Sequence, residues 1–194
     1  MKRCLVCASF LLGLGTALWT SPASGTSVGM FADSTCSSCN LVVSLGGTAT
    51  TFIRIVTDYQ TNQGVTGAEF RITGLPPNWL ASAIPNPQAD SSTGNLFGSG
   101  AVITFPLAGI DGDCVDLYTV FLSNYSAASD VVLRVEAGNS APCPRVFLGN
   151  LPISSLCAEG GVMFVNSDGD CRVSVAPTTW SQVKALYQNT WGER

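Results

Sequence analysis

From residue 48 onward the sequence keeps returning to a two-residue rhythm, and that rhythm restricts the chain to sheet. In "GAEFRITG", Ala68, Phe70 and Ile72 fall on one side while Glu69, Arg71 and Thr73 fall on the other. In "DVVLRVEAG", Val131, Leu133 and Val135 form an inner row, with Arg134 and Glu136 outside. "CRVSVA" repeats the rule with Val173 and Val175. Successive side chains of a strand point to opposite faces, so a period of two with one polar row predicts antiparallel sheet that is wet on one side. "DLYTVFLS" is apolar in both rows and belongs inside a sheet. "TATTFIRIVTD" (48–58), "AVITFP" (101–106) and the short "SVGMFAD" complete the set of predicted strands. Clusters of Gly, Pro, Asn and Ser interrupt roughly every 8–15 residues, the spacing of an all-β sandwich. Stretches such as "NPQADSSTGNLFGSG" (86–100) read as surface loops. No linker is long or biased enough to divide the chain, so residues 26–177 are predicted to form one antiparallel β-sandwich domain.

The ends read differently. Lys2 and Arg3 precede the apolar run "CLVCASFLLGLGTALW", and "SPASG" then places small residues at Ala23 and Gly25. That is a signal peptide over residues 1–25, and the run falls short of the roughly 20 apolar residues a membrane span needs. Removing 25 of 194 residues leaves 169, enough for one domain that buries roughly 70% of its unfolded surface. Without Lys2 and Arg3, seven basic residues face 13 acidic ones, a balance of −6. Nucleic acid demands clustered Lys and Arg, so this charge excludes it as a partner. No second long apolar run follows, and no membrane span is expected in the mature chain.

At the other end, "TTWSQVKALYQNTW" (178–191) carries the first helical period of the mature chain. Thr179 and Gln182 fit a capping box, and Pro177 stops the preceding strand. At 100° per residue Trp180, Val183, Tyr187 and Trp191 share a stripe, with Leu186 at its edge. A short C-terminal α-helix is therefore expected within residues 178–194. So short a helix is marginal alone in water, so its stripe must dock. It either packs on the chain's own sandwich or serves as a recognition element for a sorting partner, with Lys184 as a charged contact.

Six cysteines remain after the leader: Cys36, Cys39, Cys114, Cys143, Cys157 and Cys171. An even number in an exported chain predicts three disulfides, with 15 pairings open. A bridge from Cys157 to Cys171 would stabilise by about 3 kcal/mol on the loop-entropy model. "CSSC" (36–39) lacks the helix N-terminus that activates a redox pair, so structural disulfides are expected there. A four-cysteine zinc site would need a second close pair, and Cys157 and Cys171 are too far apart in sequence for one.

The chain has no histidine. That removes the Ser-His-Asp and Cys-His nucleophile systems and His-ligated zinc. Lys184, the sole lysine after the leader, reads as a solvated residue rather than a catalytic base. "DGDC" occurs at 111–114 and 168–171, each time before a predicted strand. Asp-Gly is first a turn signal. Asp111, Asp113, Asp116, Asp168 and Asp170, with Asn166, are nonetheless the calcium candidates, although Gly169 sits too early for an EF-hand loop. A glycosidase would need two acids across a cleft, and the best-placed acids, Asp111, Asp113 and Asp116, share one turn region. Trp79 in "GLPPNWL", with Tyr59 and Tyr125, could stack on sugars, although its turn context favours plugging one end of the sandwich.

"GVTGAEFRITGLPPNW", followed by "AVITFP" and "DLYTVFLSNYSAASDVVLRVEA", resembles the cohesin-like β-sandwiches of secreted bacterial proteins over about residues 48–137. The resemblance implies a cohesin-like or immunoglobulin-like jelly roll. Cohesins bind dockerins and are not disulfide-rich, so the likeness is carried as one of fold. The mature chain also resembles a group of uncharacterised secreted bacterial proteins that begin with a strand like "VGMFAD", carry "GAEFRITGLP" and end Trp-x-x-Val-Lys-x-Leu-Tyr. That ending falls here at Trp180, Val183, Lys184, Leu186 and Tyr187, and the chain then continues with "QNTWGER". The expected function is a non-catalytic exported module of the cell surface or envelope that is structural, adhesive or protein-binding and needs no cofactor. A carbohydrate-binding module is the alternative, with a glycoside hydrolase behind it. The expected location is outside the cell or on its surface, or in a periplasm.

Overall fold

The computed structural model describes residues 25–58, 64–149, 154–167 and 169, and among these every regular element is a strand. In chain order they are β1 (Ser27–Phe31), β2 (Asn40–Leu41), β3 (Thr48–Val56), β4 (Val65–Thr73), β5 (Trp79–Pro85), β6 (Ser91–Asn95) and β7 (Gly100–Thr104). Then follow β8 (Cys114–Asn124), β9 (Val131–Glu136), β10 (Arg145–Leu148), β11 (Ser154–Cys157), β12 (Glu159–Gly160) and β13 (Val162–Val165). The predicted leader, save Gly25, and the predicted C-terminal helix lie outside the described residues. So does the predicted "CRVSVA" strand.

The strands form two sheets. One is ordered β12-β1-β3-β8-β5 and the other β11-β10-β4-β9-β13-β2, with β7 joined to β4 and β6 to β7. β4 is shared: residues 65–69 pair with β10, 71–73 with β9, and 67–70 also with β7. Pairing is antiparallel except where β12 joins β1 and β2 joins β13, both in parallel. The inner rows meet in one core. Val28, Ile53, Ile55, Leu117, Val120 and Leu122 come from the first sheet, and Ala68, Phe70, Ile72, Ile103, Leu133 and Met163 from the second. Phe70 meets Tyr118 edge-on across the sandwich, with ring centroids 6.1 Å apart.

The predicted alternation holds in β9, where Val131, Leu133 and Val135 are buried and Arg134 is exposed. In β4 it needs one correction. Glu69 lies in the outer row yet is buried, because Ser140 Oγ donates to its carboxylate and Arg145 stands 3.9 Å away. A second correction concerns the predicted loop 86–100. Residues 91–95 pair with β7 as β6, and the strand is exposed throughout, so it has no apolar row to betray it. β8 does run inside its sheet, between β3 and β5. Its register slips where Ile53 faces Tyr118 and Arg54 faces Asp116, leaving Leu117 as an extra residue. That bulge buries two consecutive side chains, Leu117 and Tyr118, which strict alternation forbids.

One segment crosses from sheet to sheet. β12 pairs with β1, and β13, one residue later, pairs with β9. At the crossing Gly161 donates to Val28 O (2.8 Å), and its own carbonyl accepts from Val135 N (3.0 Å). Backbones approach closely here. A Cβ on Gly160 would lie 2.0 Å from the Val135 carbonyl oxygen. Gly160→Ala is expected to destabilise the domain by about 1–3 kcal/mol, as overpacking does. A thermal melt of the variant checks this, and an unchanged midpoint would mean the crossing yields without strain.

Two disulfides join described cysteines. Cys36–Cys114 ties the turn after β1 to the start of β8, and Cys143–Cys157 ties the β9–β10 connection to the end of β11. The considered Cys157–Cys171 bridge is therefore not formed. "CSSC" is no local pair either, since Cys36 goes to Cys114. Cys39 is also disulfide-bonded, to a partner outside the described residues.

Candidate functional site

The inward row of a sandwich is spoken for, so a site must lie on an outer face, an edge or an end. The outer face of β5, β8 and β3 is built by register. Leu80 stands opposite Ser123, Ser82 opposite Phe121 and Ile84 opposite Thr119. Across β8, Thr48, Thr50 and Phe52 face the same three residues. The result is a grid of apolar knobs among hydroxyls. Leu80 and Ile84 are 64% and 57% exposed, while Phe121 and Phe52 are half-buried. Thr48 and Ser123 hydroxyls pair at 2.8 Å. No charged side chain stands in these three rows.

Charge enters at one border of the grid. Arg54, almost fully buried, donates from Nε to Asp116 Oδ1 and from Nη1 to the Asp33 carbonyl (3.0 Å). Its guanidinium lies over the Phe52 ring, 4.7 Å from the centroid, so the cation fixes that aromatic ring in place. Asn86 donates to the Asp116 carbonyl (2.8 Å) and brings Pro87 and Gln88 alongside. Phe52, Asp116, Thr119 and this turn line a shallow hollow of about 350 Å³.

The turn behind Arg54 is held by one carboxylate. Burial raises the Asp33 pKa, but bonds from the backbone and hydroxyl groups of Ser37 and Thr35 outweigh it and hold the carboxyl well below the usual range. They also brace Cys36, a non-glycine residue at φ 57°. A depressed folded pKa means stability that is present above the unfolded value near 4 and lost as pH falls below it. Asp33→Asn is therefore expected to lower the melting midpoint at pH 7 by a margin that closes as pH drops from about 4 toward 2. Melts of both proteins across that range check it. A margin independent of pH would assign the effect to the turn's shape rather than its charge.

A second concavity opens where β5 and β6 form facing sheet edges. Ala81 and Ala83 point inward from β5 but are too short to fill the seam, leaving a groove of about 360 Å³ with Leu96, Phe97, Ala101 and Tyr118 in its walls. The Tyr118 hydroxyl pairs with Ser92 Oγ at 2.8 Å. Burial raises the phenol pKa, and the Ser92 bond offsets part of that.

Among the described residues, those singled out from sequence are not gathered in one place. Among the described residues no group of three or more Asp, Glu or Cys side chains gathers where a metal ion could be held. Asp116 is engaged by Arg54, and Asp111 and Asp113 do not join it in a cluster. Asn166 is used structurally: its side chain accepts from Val43 N and donates to Val43 O. Asp168, Asp170 and Cys171 lie outside the described residues, as do Tyr59 and the expected recognition residues Trp180, Val183, Lys184, Leu186 and Tyr187. Trp79 is corrected as a glycan platform. It is 3% exposed, packed in the core, and its indole N–H has no partner. A ring without an open face cannot stack on a sugar. Sequence reasoning passed over Leu80, Ile84, Phe121 and Phe52. The available signal was Trp79 itself, since a tryptophan in the core turns its neighbour Leu80 to the solvent.

No protein-family model matches the chain, and no characterised protein matches it by sequence. Solved structures match it in fold. The fold is similar to the sixth cohesin of scaffoldin B from Acetivibrio cellulolyticus, solved in complex with a Cel5 dockerin mutant, at 12% identity and a TM-score of 0.51, covering 74% of this chain and 99% of that one. It is similar also to the seventh ScaB type I cohesin from Pseudobacteroides cellulosolvens, at 10% identity and a TM-score of 0.50, covering 75% and 94%. The chain has a cohesin-like sandwich fold.

Proposed function

We propose that this chain is a non-catalytic, exported protein-binding module whose partner docks on the outer face of β5, β8 and β3. One observation carries the reading: the exposed Leu80 and Ile84 flank Phe121 and Phe52 on a face with no charged side chain in its central rows. Large apolar side chains gathered on the surface of a soluble domain mark an interaction site, and a rigid aromatic ring braced by Arg54 is the kind of anchor that dominates binding energy. The cohesin of similar fold, solved with a dockerin bound, supports a protein as the ligand class. Disulfides at Cys36 and Cys143 support an oxidising compartment. Burial of Trp79 removes the residue that motivated a carbohydrate-binding reading.

The test places a photo-crosslinking amino acid at Ser82, between Leu80 and Ile84, in the chain expressed in its own cells. A discrete protein adduct is expected, lost when Leu80→Asp and Ile84→Asp are added while the melting midpoint is kept. Adducts to polysaccharide alone, or a protein adduct indifferent to both substitutions, would overturn the assignment.

A further inference from the structure

We propose that the closing segment 178–191 docks on its own domain, at the end formed by the loops 42–47 and 125–128, and that a Cys39–Cys171 disulfide holds it there. This end is distinct from the β5–β8–β3 face. It is knotted by side-chain amides. Asn124 donates to Val43 O, while its backbone bonds to Gly46 and Gly47. Asn166 engages both backbone groups of Val43 and reaches Ala128 O. Around the knot, within two residues of it, stand Val42, Leu45 and Tyr125, which are 80%, 66% and 62% exposed. Three large apolar side chains on rigid backbone at one end of an acidic domain want a cover.

The last described residues lie close by, along β2, the strand that leads into the 42–47 loop. Asn166 N donates to Leu41 O, and Asn40 and Gly169 exchange two hydrogen bonds of 3.1 and 3.2 Å. All five described cysteines are disulfide-bonded, four of them to one another, and Cys39 is the fifth. Cys171 is the sixth, two residues beyond the Gly169–Asn40 contact, while Cys39 precedes Asn40. From Cys171 to Trp180 the chain can span at most about 30 Å, which keeps the apolar stripe of Trp180, Val183 and Tyr187 within reach of the patch. A 14-residue helix is about 21 Å long, enough to lie across one end of a sandwich. Such a helix needs an apolar surface to persist, and the patch needs a cover.

The experiment uses the full mature chain with a photo-crosslinking amino acid at Val183. Intramolecular adducts to residues 41–47 or 125–128 are expected, falling to background in Val42→Glu/Leu45→Glu, whose sites are exposed and leave the core intact. Non-reducing peptide mapping should recover Cys39 linked to Cys171. Adducts to Leu80 or Ile84, to a second copy, or to none of these would overturn the docking, and Cys39 found on any other cysteine would overturn the tether.

Discussion

Replacing Cys36 and Cys114 together by alanine is expected to cost about 4–5 kcal/mol of stability, the larger loss of the two bridges that join described cysteines. The bridge spans 78 residues, and on the loop-entropy model so long a closed loop removes about 4.5 kcal/mol of unfolded-chain freedom. The bridge at Cys39 constrains part of the same span, which makes the figure an upper value. Cys143–Cys157 encloses only 14 residues and should be worth about 3 kcal/mol. Guanidinium unfolding of the two double variants, each with the other bridge intact, compares them directly. Equal losses, or a larger loss for the short loop, would show that native packing around the sulfurs outweighs loop length.

Truncating Phe70 to alanine is expected to cost about 3–5 kcal/mol, the range for a fully buried aromatic. Phe70 has no exposure, sits on the strand shared by β7, β9 and β10, and meets Tyr118 edge-on from the opposite sheet. The cavity would open between the sheets, where β4 is fixed on both edges and cannot collapse inward. Phe70→Leu keeps most of the volume and should lose less than half as much. Calorimetric melts of both variants decide it. Near-equal losses would mean that the aromatic contact with Tyr118, rather than filled volume, is what holds the layers.

The parts of the fold legible in sequence are those where burial and period agree. β9 shows its inner row directly. β4 does so except at Glu69, because a carboxylate can be buried when Ser140 and Arg145 reach it from a later loop, and no local pattern announces that. β6 was hidden for the opposite reason: an exposed edge strand of Ser, Ser, Thr, Gly and Asn has no apolar row to read. That cysteines pair in disulfides was readable, but which pairs form was not, since Cys36 meets Cys114 only after β1 and β8 have been placed by tertiary contacts. The candidate face was the least legible. In "WLASAIP" the larger side chains Leu80 and Ile84 look like core and the alanines like surface, and the structure reverses them. Trp79 enters the core at the start of β5 and sets the phase of every residue after it.

The crossing at Gly160–Gly161 has a mechanical meaning. β1 near the start of the domain and β12 near its finish run parallel and side by side. Tension drawn between Thr26, ahead of β1, and Gly161, behind β12, would slide these strands lengthwise past each other, straining their hydrogen bonds together rather than peeling them one at a time. Once they gave way, Cys36–Cys114 would keep its 78-residue span, about 270 Å of extended chain, from lengthening. A module stretched between a surface and a bound neighbour would yield in a short, stiff step and not in a long slack one.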